Sequence, residues 1–205
     1  MRGTGDAAHW DDLYALGHET RSWHQQEAVM SLRMLDAAGV TAADSLLDVG
    51  GGASVLARDL LDRGFGDVTV LDISPAALGY ARERLGPRAG AVHWLTQDLL
   101  SWRPARTWRV WHDRAVFHFL TAPADRDRYR RALADATRPG ALAVLGCFAP
   151  DGPESCSGLP VARYSAVGLA AAFDGWTLIS ADREEHRTPD GVVQPFTWAA
   201  LRRER

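Results

Sequence analysis

A cluster of glycines near position 50 follows a short apolar run and could bind a small molecule. The run Ser45–Val49 contains one acid, Asp48, and Gly50–Gly52 come directly after it. Glycines at such a turn let backbone amides approach a ligand closely. The helical pattern that follows, Val55 to Asp62, would bring the partial positive charge of a helix N-terminus to the same point. The stretch therefore predicts a nucleotide-like ligand at the carboxyl edge of a sheet.

Alternating strand and helix patterns would position these residues. Strands are predicted at 45–49, 68–73, 91–96, 109–112 and 141–148, helices at 54–63, 74–85 and 124–137, and a terminal hairpin at 176–181 and 196–201. This order predicts the α/β class: a Rossmann-like, doubly wound, mostly parallel seven-stranded sheet with an antiparallel last strand. We expect one domain over 1–205, with an N-terminal helical lid in residues 1–40 and the core in 41–205. Gly17 is expected to end the first helix of the lid.

Composition excludes several classes of protein. The formal net charge is -3 with acids and bases mixed along the chain, so neither nucleic-acid binding nor attachment to a membrane surface is predicted. No apolar run is long enough to span a bilayer, and the first six residues lack the apolar core of a signal peptide. The two cysteines, Cys147 and Cys156, make no disulfide framework, which favours the cytoplasm. The cysteines and histidines show no ligand spacing, so no metal is expected.

The glycines alone leave two classes of cofactor open. The fingerprint of nicotinamide dinucleotides requires a third glycine three residues after Gly52, where this chain has Val55. Asp72 stands where a ribose-binding acid is expected, about 20 residues beyond the glycines. An acid after the second strand is common to both classes, so Asp72 does not separate them.

The wider arrangement resembles the class I S-adenosylmethionine-dependent methyltransferases. Four linked motifs carry the resemblance, in family order and spacing: Leu47–Gly52, Leu71–Ser74, Gln97–Leu99 and Val110–Leu120. The turn Pro139-Gly140 before strand five matches a further family feature. Ser54 departs from the family, which often has another glycine there. The resemblance implies an enzyme with S-adenosylmethionine as its cofactor.

The resemblance also implies roles on the methionine side of that cofactor. Gly50 and Gly52 would admit the methionine part. Asp48 would either order the glycine turn or face the methionine amine through water. His112, just after strand four, would lie under the methionine part.

On the adenosine side, the resemblance implies four further contacts. Asp72 would accept hydrogen bonds from both ribose hydroxyls, as a carboxylate can. Ile73 would cover a face of the adenine. Asp98 would accept from the adenine amino group, and the backbone amide of Leu99 would donate nearby.

The segment from Trp10 to Gln25 looks similar to the N-terminal lid of small-molecule thiol methyltransferases. Tyr14 and Trp23 are candidates to close over the sulfonium or the carboxylate, because aromatic faces suit a positively charged sulfur. Trp10 is a candidate contact of the acceptor. The long loop after strand five adds Cys156 as a pocket residue and Arg163 as an anion-binding residue, although an ordinary long loop explains both equally well.

The acceptor itself is open. A nitrogen or oxygen acceptor needs a base near the methyl group, and His118, His24 and His112 are the candidates, although His118 fits a buried structural role equally well. A thiol needs less help because it is partly ionised near neutral pH. We therefore expect methyl transfer to a small-molecule acceptor, with a thiol favoured, by a monomer or homodimer. The alternatives are an N- or O-acceptor on a small molecule or protein side chain, and a non-catalytic cofactor-binding protein.

Overall fold

The computed structural model describes residues 5–15 and 21–204. The predicted helix end at Gly17 lies outside the described residues.

Nine strands are present in the described residues: β1 (Leu46–Val49), β2 (Val68–Asp72), β3 (Val92–Thr96), β4 (Val110–Arg114), β5 (Leu142–Phe148), β6 (Ser155–Cys156), β7 (Leu159–Pro160), β8 (Trp176–Arg187) and β9 (Val193–Arg203). The helices are α1 (Ala7–Ala15), α2 (Val29–Ala37), α3 (Leu56–Asp62), α4 (Pro75–Leu85), α5 (Pro123–Asp135) and α6 (Ala166–Ala170).

Seven strands form one sheet in the order β3-β2-β1-β4-β5-β9-β8. Neighbouring strands pair in parallel from β3 to β5, whereas β9 is antiparallel to both β5 and β8. The predicted fold class is therefore confirmed, including the antiparallel last strand. The strand order reverses beside β1, which is where ligands bind at the carboxyl edge of such sheets.

Helices cover both faces of the sheet, and this explains the apolar character of the central strands. Every residue of β1, β2 and β5 is buried. One face packs against α2, α3 and α4 through residues such as Leu35 and Leu60, and the other against α5 and α6 through residues such as Leu133. Parallel strands buried in this way need apolar side chains on both faces.

Strand β4 runs to Arg114, two residues beyond its predicted end at His112. An acidic residue at position 113 predicts that the strand ends before it. In the fold, Asp113 is fully buried and accepts hydrogen bonds from the Tyr129 hydroxyl at 2.6 Å and from the amides of Val116 and Phe117. These donors satisfy the carboxylate, so the strand continues through it.

The C-terminal hairpin is also longer than predicted, because β8 and β9 span 12 and 11 residues. The long loop after β5 contains the small hairpin β6–β7, which the sequence pattern did not indicate. Within the described residues no helix is long and apolar enough to cross a membrane.

Candidate active site

A cavity of about 730 Å³ opens at the carboxyl edge of the sheet. Its walls come from the ends of β1, β2 and β4, from the turn after β3, from α1 and residues 23–25, and from the β6–β7 hairpin. The volume falls within the range of small-molecule pockets. Sequence-distant segments thus converge on one concave site at the position where the sheet topology favours a ligand.

The glycine turn forms the floor of this cavity. Gly50 and Gly52 have φ values of +62° and +40°, a region that side chains other than glycine rarely adopt. A Cβ atom on Gly52 would lie 2.5 Å from the Tyr14 hydroxyl and 3.1 Å from Asp72 Oδ2. Glycine is therefore required here both by the backbone conformation and by its neighbours.

Asp48 and His112 form a buried pair on the adjacent strands β1 and β4. His112 Nδ1 lies 2.7 Å from Asp48 Oδ1, and His112 Nε2 lies 2.9 Å from the Ser31 hydroxyl of α2. Both ring nitrogens are thus engaged. The second carboxylate oxygen, Asp48 Oδ2, is buried and has no hydrogen-bond partner within the described residues. Because a buried carboxylate oxygen without a partner is costly, this site fits a ligand amine.

Asp72 ends β2 and is 7 % exposed. Its Oδ1 accepts from the Ser74 amide at 2.8 Å. Burial raises the pKa of Asp72 to about 6, although backbone amides at Ser74 and Gly52 act in the opposite direction. The carboxylate is therefore desolvated and held beside the glycine turn, where it could accept further hydrogen bonds from a ligand.

Helix α1 closes over this edge of the sheet. Asp11 accepts hydrogen bonds from the Ser74 hydroxyl at 2.5 Å and the Ala76 amide at 3.2 Å, which docks α1 on the start of α4. Tyr14 packs edge-on against Trp23 with ring centroids 6.1 Å apart. Burial and the charge of Asp72 raise the pKa of Tyr14, so its hydroxyl remains a hydrogen-bond donor.

Comparison with known proteins identifies the domain that carries this cavity. Residues 46–140 match the family described as "Methyltransferase domain". These residues form a methyltransferase domain, consistent with the class I S-adenosylmethionine-dependent family expected from the sequence. S-adenosylmethionine is its cofactor, and the enzyme class predicted from the sequence is confirmed. No curated protein matches the chain in sequence.

Solved structures share the fold of this enzyme at low sequence identity. One, from work on the conversion of a disulfide bond into a thioacetal group during echinomycin biosynthesis, is 23% identical with a TM-score of 0.77, covering 97% of this chain and 93% of that one. The N-methyltransferase NodS from Bradyrhizobium japonicum WM9, in complex with S-adenosylhomocysteine, is 16% identical with a TM-score of 0.73 and coverage of 98% and 100%. The 1,6-didemethyltoxoflavin-N1-methyltransferase of Burkholderia thailandensis is 18% identical with a TM-score of 0.66 and coverage of 97% and 89%.

The cavity brings most of the predicted site residues of the methyltransferase together. Those that line it are Trp10, Tyr14, Trp23, His24, Asp48, Gly50, Asp72, Ile73, Asp98, Leu99, His112 and Cys156. Gly52 borders it through its contacts with Tyr14 and Asp72. The motifs after β1, β2, β3 and β4 therefore meet in space, and the N-terminal segment covers them. The individual ligand contacts of these residues stay predictions.

His118 lies outside the cavity wall and inside the core. It is fully buried, and its ring centroid is 4.5 Å from that of Phe119 and 4.7 Å from that of Phe148. Burial and the charge of Arg114 lower the pKa of His118 to about 3. The imidazole therefore packs between aromatic rings away from the cavity wall, and a role of His118 as base stays a prediction that this position does not favour.

Arg163 also lies outside the cavity wall. Its Nη2 is 2.9 Å from Glu154 Oε1, and its Nη1 donates to the Gly152 carbonyl at 3.1 Å. These two partners hold the Arg163 side chain at the surface. Binding of an anion by Arg163 therefore stays a prediction that this position does not favour.

His9 and Arg114 also line the cavity, and neither is among the site residues predicted above. Helical spacing contained a signal for the first, because Asp6, His9, Trp10 and Tyr14 follow an i, i+3, i+4, i+8 pattern and all line the cavity. His9 Nε2 is buried with no hydrogen-bond partner among residues 5–15 and 21–204. Across the same part of the chain, no group of three His, Cys, Asp or Glu side chains could hold a metal ion.

Replacing Gly52 with alanine should weaken binding of S-adenosylhomocysteine by about tenfold or more. The new Cβ would meet Tyr14 and Asp72, and a left-handed backbone costs alanine about 1–2 kcal/mol. Isothermal titration calorimetry measures the affinity. The matched control is Gly79→Ala on the exposed side of α4, where a Cβ meets nothing within 4 Å. We expect the control to keep its affinity, and an equal affinity in both variants would contradict the assignment of the turn.

Proposed function

We propose that this methyltransferase transfers a methyl group to the sulfur of a small thiol. The observation that carries the proposal is the makeup of the cavity beyond the glycine turn. Aromatic and apolar side chains, among them Trp10, Phe119 and Leu159, line this part of the cavity together with the imidazoles of His9 and His24 and the carboxylate of Asp6. An apolar wall with a weak base suits an acceptor that ionises readily.

The strand order separates a cofactor end from an acceptor end. Asp72 and Asp98 lie at the ends of β2 and β3, whereas Cys156 and Ser157 belong to the loop that follows β5. Neighbouring strands are about 4.8 Å apart, so the four steps from β3 to β5 span about 19 Å. We therefore place the adenosine part near β2 and β3, the methionine part at the glycine turn after β1, and the acceptor beyond β4.

S-adenosylmethionine supplies a methyl group on a positively charged sulfur, and its transfer leaves a neutral thioether. Asp48 Oδ2 would accept from the methionine amine, and Asp72 would accept from the ribose hydroxyls. Tyr14 and Trp23 would cover the methionine part, where their faces suit a cation. These residues position the reactants and exclude water, which supports transfer between two bound partners.

His9 is the side chain that we assign to receiving the thiol proton. Its Nε2 has no partner in the described chain, whereas both nitrogens of His112 are engaged. A thiol is far more acidic than an alcohol, so an imidazole is a strong enough base to receive its proton. An alcohol would require a far stronger base than any described side chain that lines this cavity.

The solved structures support sulfur and nitrogen acceptors to different degrees. The first one described above comes from work on chemistry at a disulfide bond, whereas NodS and the toxoflavin enzyme are N-methyltransferases. Among the three, the first has the highest identity and TM-score. An amine acceptor is therefore the alternative that the test must separate from a thiol.

A matched series of acceptors tests the proposal. We expect the enzyme to form a methyl thioether from benzyl mercaptan, with release of S-adenosylhomocysteine measured by mass spectrometry. Benzyl alcohol, which has the same ring and an oxygen nucleophile, should give no product. Methylation of benzylamine without methylation of benzyl mercaptan would overturn the thiol assignment in favour of nitrogen. Release of S-adenosylhomocysteine with none of the three would also count against it.

A further inference from the structure

A half-buried cation, Arg114, lines the cavity beside the end that we assign to the acceptor. It is the last residue of β4, and its guanidinium carbon lies 4.9 Å above the centroid of the Phe196 ring. Nη1 donates to the Trp23 carbonyl at 3.1 Å. The aromatic stack and this hydrogen bond fix the plane of the guanidinium.

The remaining donors of Arg114 are not satisfied by the protein. Nε and Nη2 are buried and have no hydrogen-bond partner in the described part of the chain. Burial lowers the pKa of Arg114, which reflects the cost of desolvating the charge. Buried charges in proteins are normally paired, so an unpaired guanidinium at a cavity wall indicates an anionic ligand.

Nearby acids are committed to other partners. Glu184 Oε2 accepts from the Trp198 indole at 2.8 Å, and its Oε1 from the Gln25 amide at 3.2 Å. Asp48 Oδ1 is bound to His112, and Asp48 Oδ2 is the oxygen that we assign to the methionine amine. Burial raises the pKa of the neighbouring thiol of Cys156, so this side chain supplies no negative charge at neutral pH.

The backbone beside Arg114 is held in an unusual conformation. Ala115 has φ = +73°, and its amide donates to the Gly146 carbonyl at 2.8 Å. Ser157, with φ = +55°, is the other described residue that is not glycine and has a positive φ, and both residues line the cavity. Strained residues of this kind concentrate at ligand sites, where they fix a neighbouring group in place.

We infer that the thiol acceptor carries a carboxylate and that Arg114 binds it, an inference that rests on the proposed function. Arg114 lies past the glycine turn in the strand order, on the side of Cys156 and Ser157. A planar guanidinium with two open donors matches the two oxygens of a carboxylate. The acceptor is therefore an apolar, thiol-bearing organic acid, with its ring or chain against Trp10 and Phe119 and its carboxylate on Arg114.

The carboxylate of the cofactor's methionine part is the competing ligand of Arg114, and the experiment distinguishes it from the acceptor's carboxylate. Arg114→Met keeps the length of the side chain and removes the charge. If Arg114 binds the acceptor, its replacement lowers the preference for an anionic acceptor. If it binds the methionine carboxylate, its replacement weakens binding of S-adenosylhomocysteine and leaves that preference unchanged, which would overturn the inference.

The kinetic readout is the ratio of kcat/KM for 4-(mercaptomethyl)benzoate to that for benzyl mercaptan. We expect this ratio to fall by about 10- to 100-fold in Arg114→Met, the range for losing a charge-assisted hydrogen-bonded pair. Arg114→Lys keeps the charge without the planar fork and should recover part of the ratio. The same substitution at Arg163, which lies outside the cavity, provides the comparison. A ratio that changes in Arg163→Met and not in Arg114→Met would contradict the assignment.

A binding assay separates failure of this inference from failure of the thiol assignment. In the S-adenosylhomocysteine complex, quenching of tryptophan fluorescence reports binding of 4-methylbenzoate and of its neutral match, 4-methylbenzamide. Neither compound contains sulfur, so the result does not depend on turnover. We expect the wild-type complex to prefer the benzoate and Arg114→Met to lose that preference. Equal binding of both compounds by the wild-type complex would overturn the carboxylate site.

Discussion

Replacing Asp72 with alanine should weaken binding of S-adenosylhomocysteine by about 100-fold or more. In our assignment the carboxylate accepts two ribose hydroxyls, and each hydrogen bond to a charged group contributes about 1.5–3 kcal/mol. The residue is buried at the end of β2, so water does not replace the lost acceptor. Isothermal titration calorimetry at pH 7.5 measures the effect.

Asp67→Ala is the control for that experiment. Asp67 precedes β2 and forms an ion pair with Arg106 on the surface, away from the cavity. We expect its affinity to equal that of the wild type. Unchanged affinity in a folded Asp72→Ala variant would remove Asp72 from the cofactor site.

The raised pKa of Asp72 adds a pH signature to this prediction. Its pKa is about 6 in the folded protein and 3.8 for an ordinary aspartate, so the cofactor-free fold loses stability as pH rises between these values. Ligand binding should show the opposite trend, because the ionised carboxylate accepts more hydrogen bonds. Affinity should fall by up to about tenfold for each pH unit below 6. The Asp72→Asn variant should bind S-adenosylhomocysteine weakly, and its affinity should depend less on pH. If the affinities of wild type and variant changed with pH in the same way, another group would be responsible for the titration.

Replacing His9 with glutamine should lower kcat/KM for benzyl mercaptan by about 100-fold at pH 7. Glutamine keeps the size and polarity of the side chain but does not accept a proton, and a positioned base contributes about 10²–10⁴-fold. At pH 9.5 a far larger fraction of the thiol is already ionised than at pH 7. The difference between variant and wild type should therefore narrow strongly at high pH, which rates of S-adenosylhomocysteine release will show.

Variants of two further histidines show whether the loss of activity is specific to His9. His24→Gln tests the other imidazole of the cavity wall in the same assay. His93→Gln, at an exposed position of β3, is the control and should match the wild type. A loss in His9→Gln that is equally large at pH 7 and pH 9.5 would indicate a positioning role and contradict proton acceptance.

Much of the fold was predictable because the determining forces are local. Helix α4 begins and ends as predicted, since Ser74 accepts from the Ala77 amide as an N-cap, Pro75 occupies the first turn and Gly86 follows the last one. The glycine turn after β1 was predictable for the same reason, because a positive φ requires glycine at Gly50 and Gly52. The acids at the strand ends were also visible, and the parallel sheet brings them to one edge.

Long-range contacts explain what the sequence did not show about the site. Arg163 and Arg114 look equally able to bind an anion in sequence, but Glu154 pairs with the first and no described acid pairs with the second. His118 and His9 both stand beside aromatic residues, yet the first packs into the core and the second lines the cavity. Burial and pairing depend on which segments meet in space, which no local spacing reports.

The sequence by itself determined the strand–helix order, the glycine turn and the family motifs, and with them the methyl-donor class of the domain. Those features are set by backbone conformation and hydrophobic periodicity, which act over a few residues. Only the tertiary structure decided which side chains line the cavity on the side that we assign to the acceptor. The docking of α1 through Asp11 and the course of the loop after β5 place His9 and Cys156 on the cavity wall, and the extension of β4 through Asp113 carries Arg114 there. The acceptor end is assembled from segments far apart in the chain, so its chemistry follows from packing rather than from any single motif.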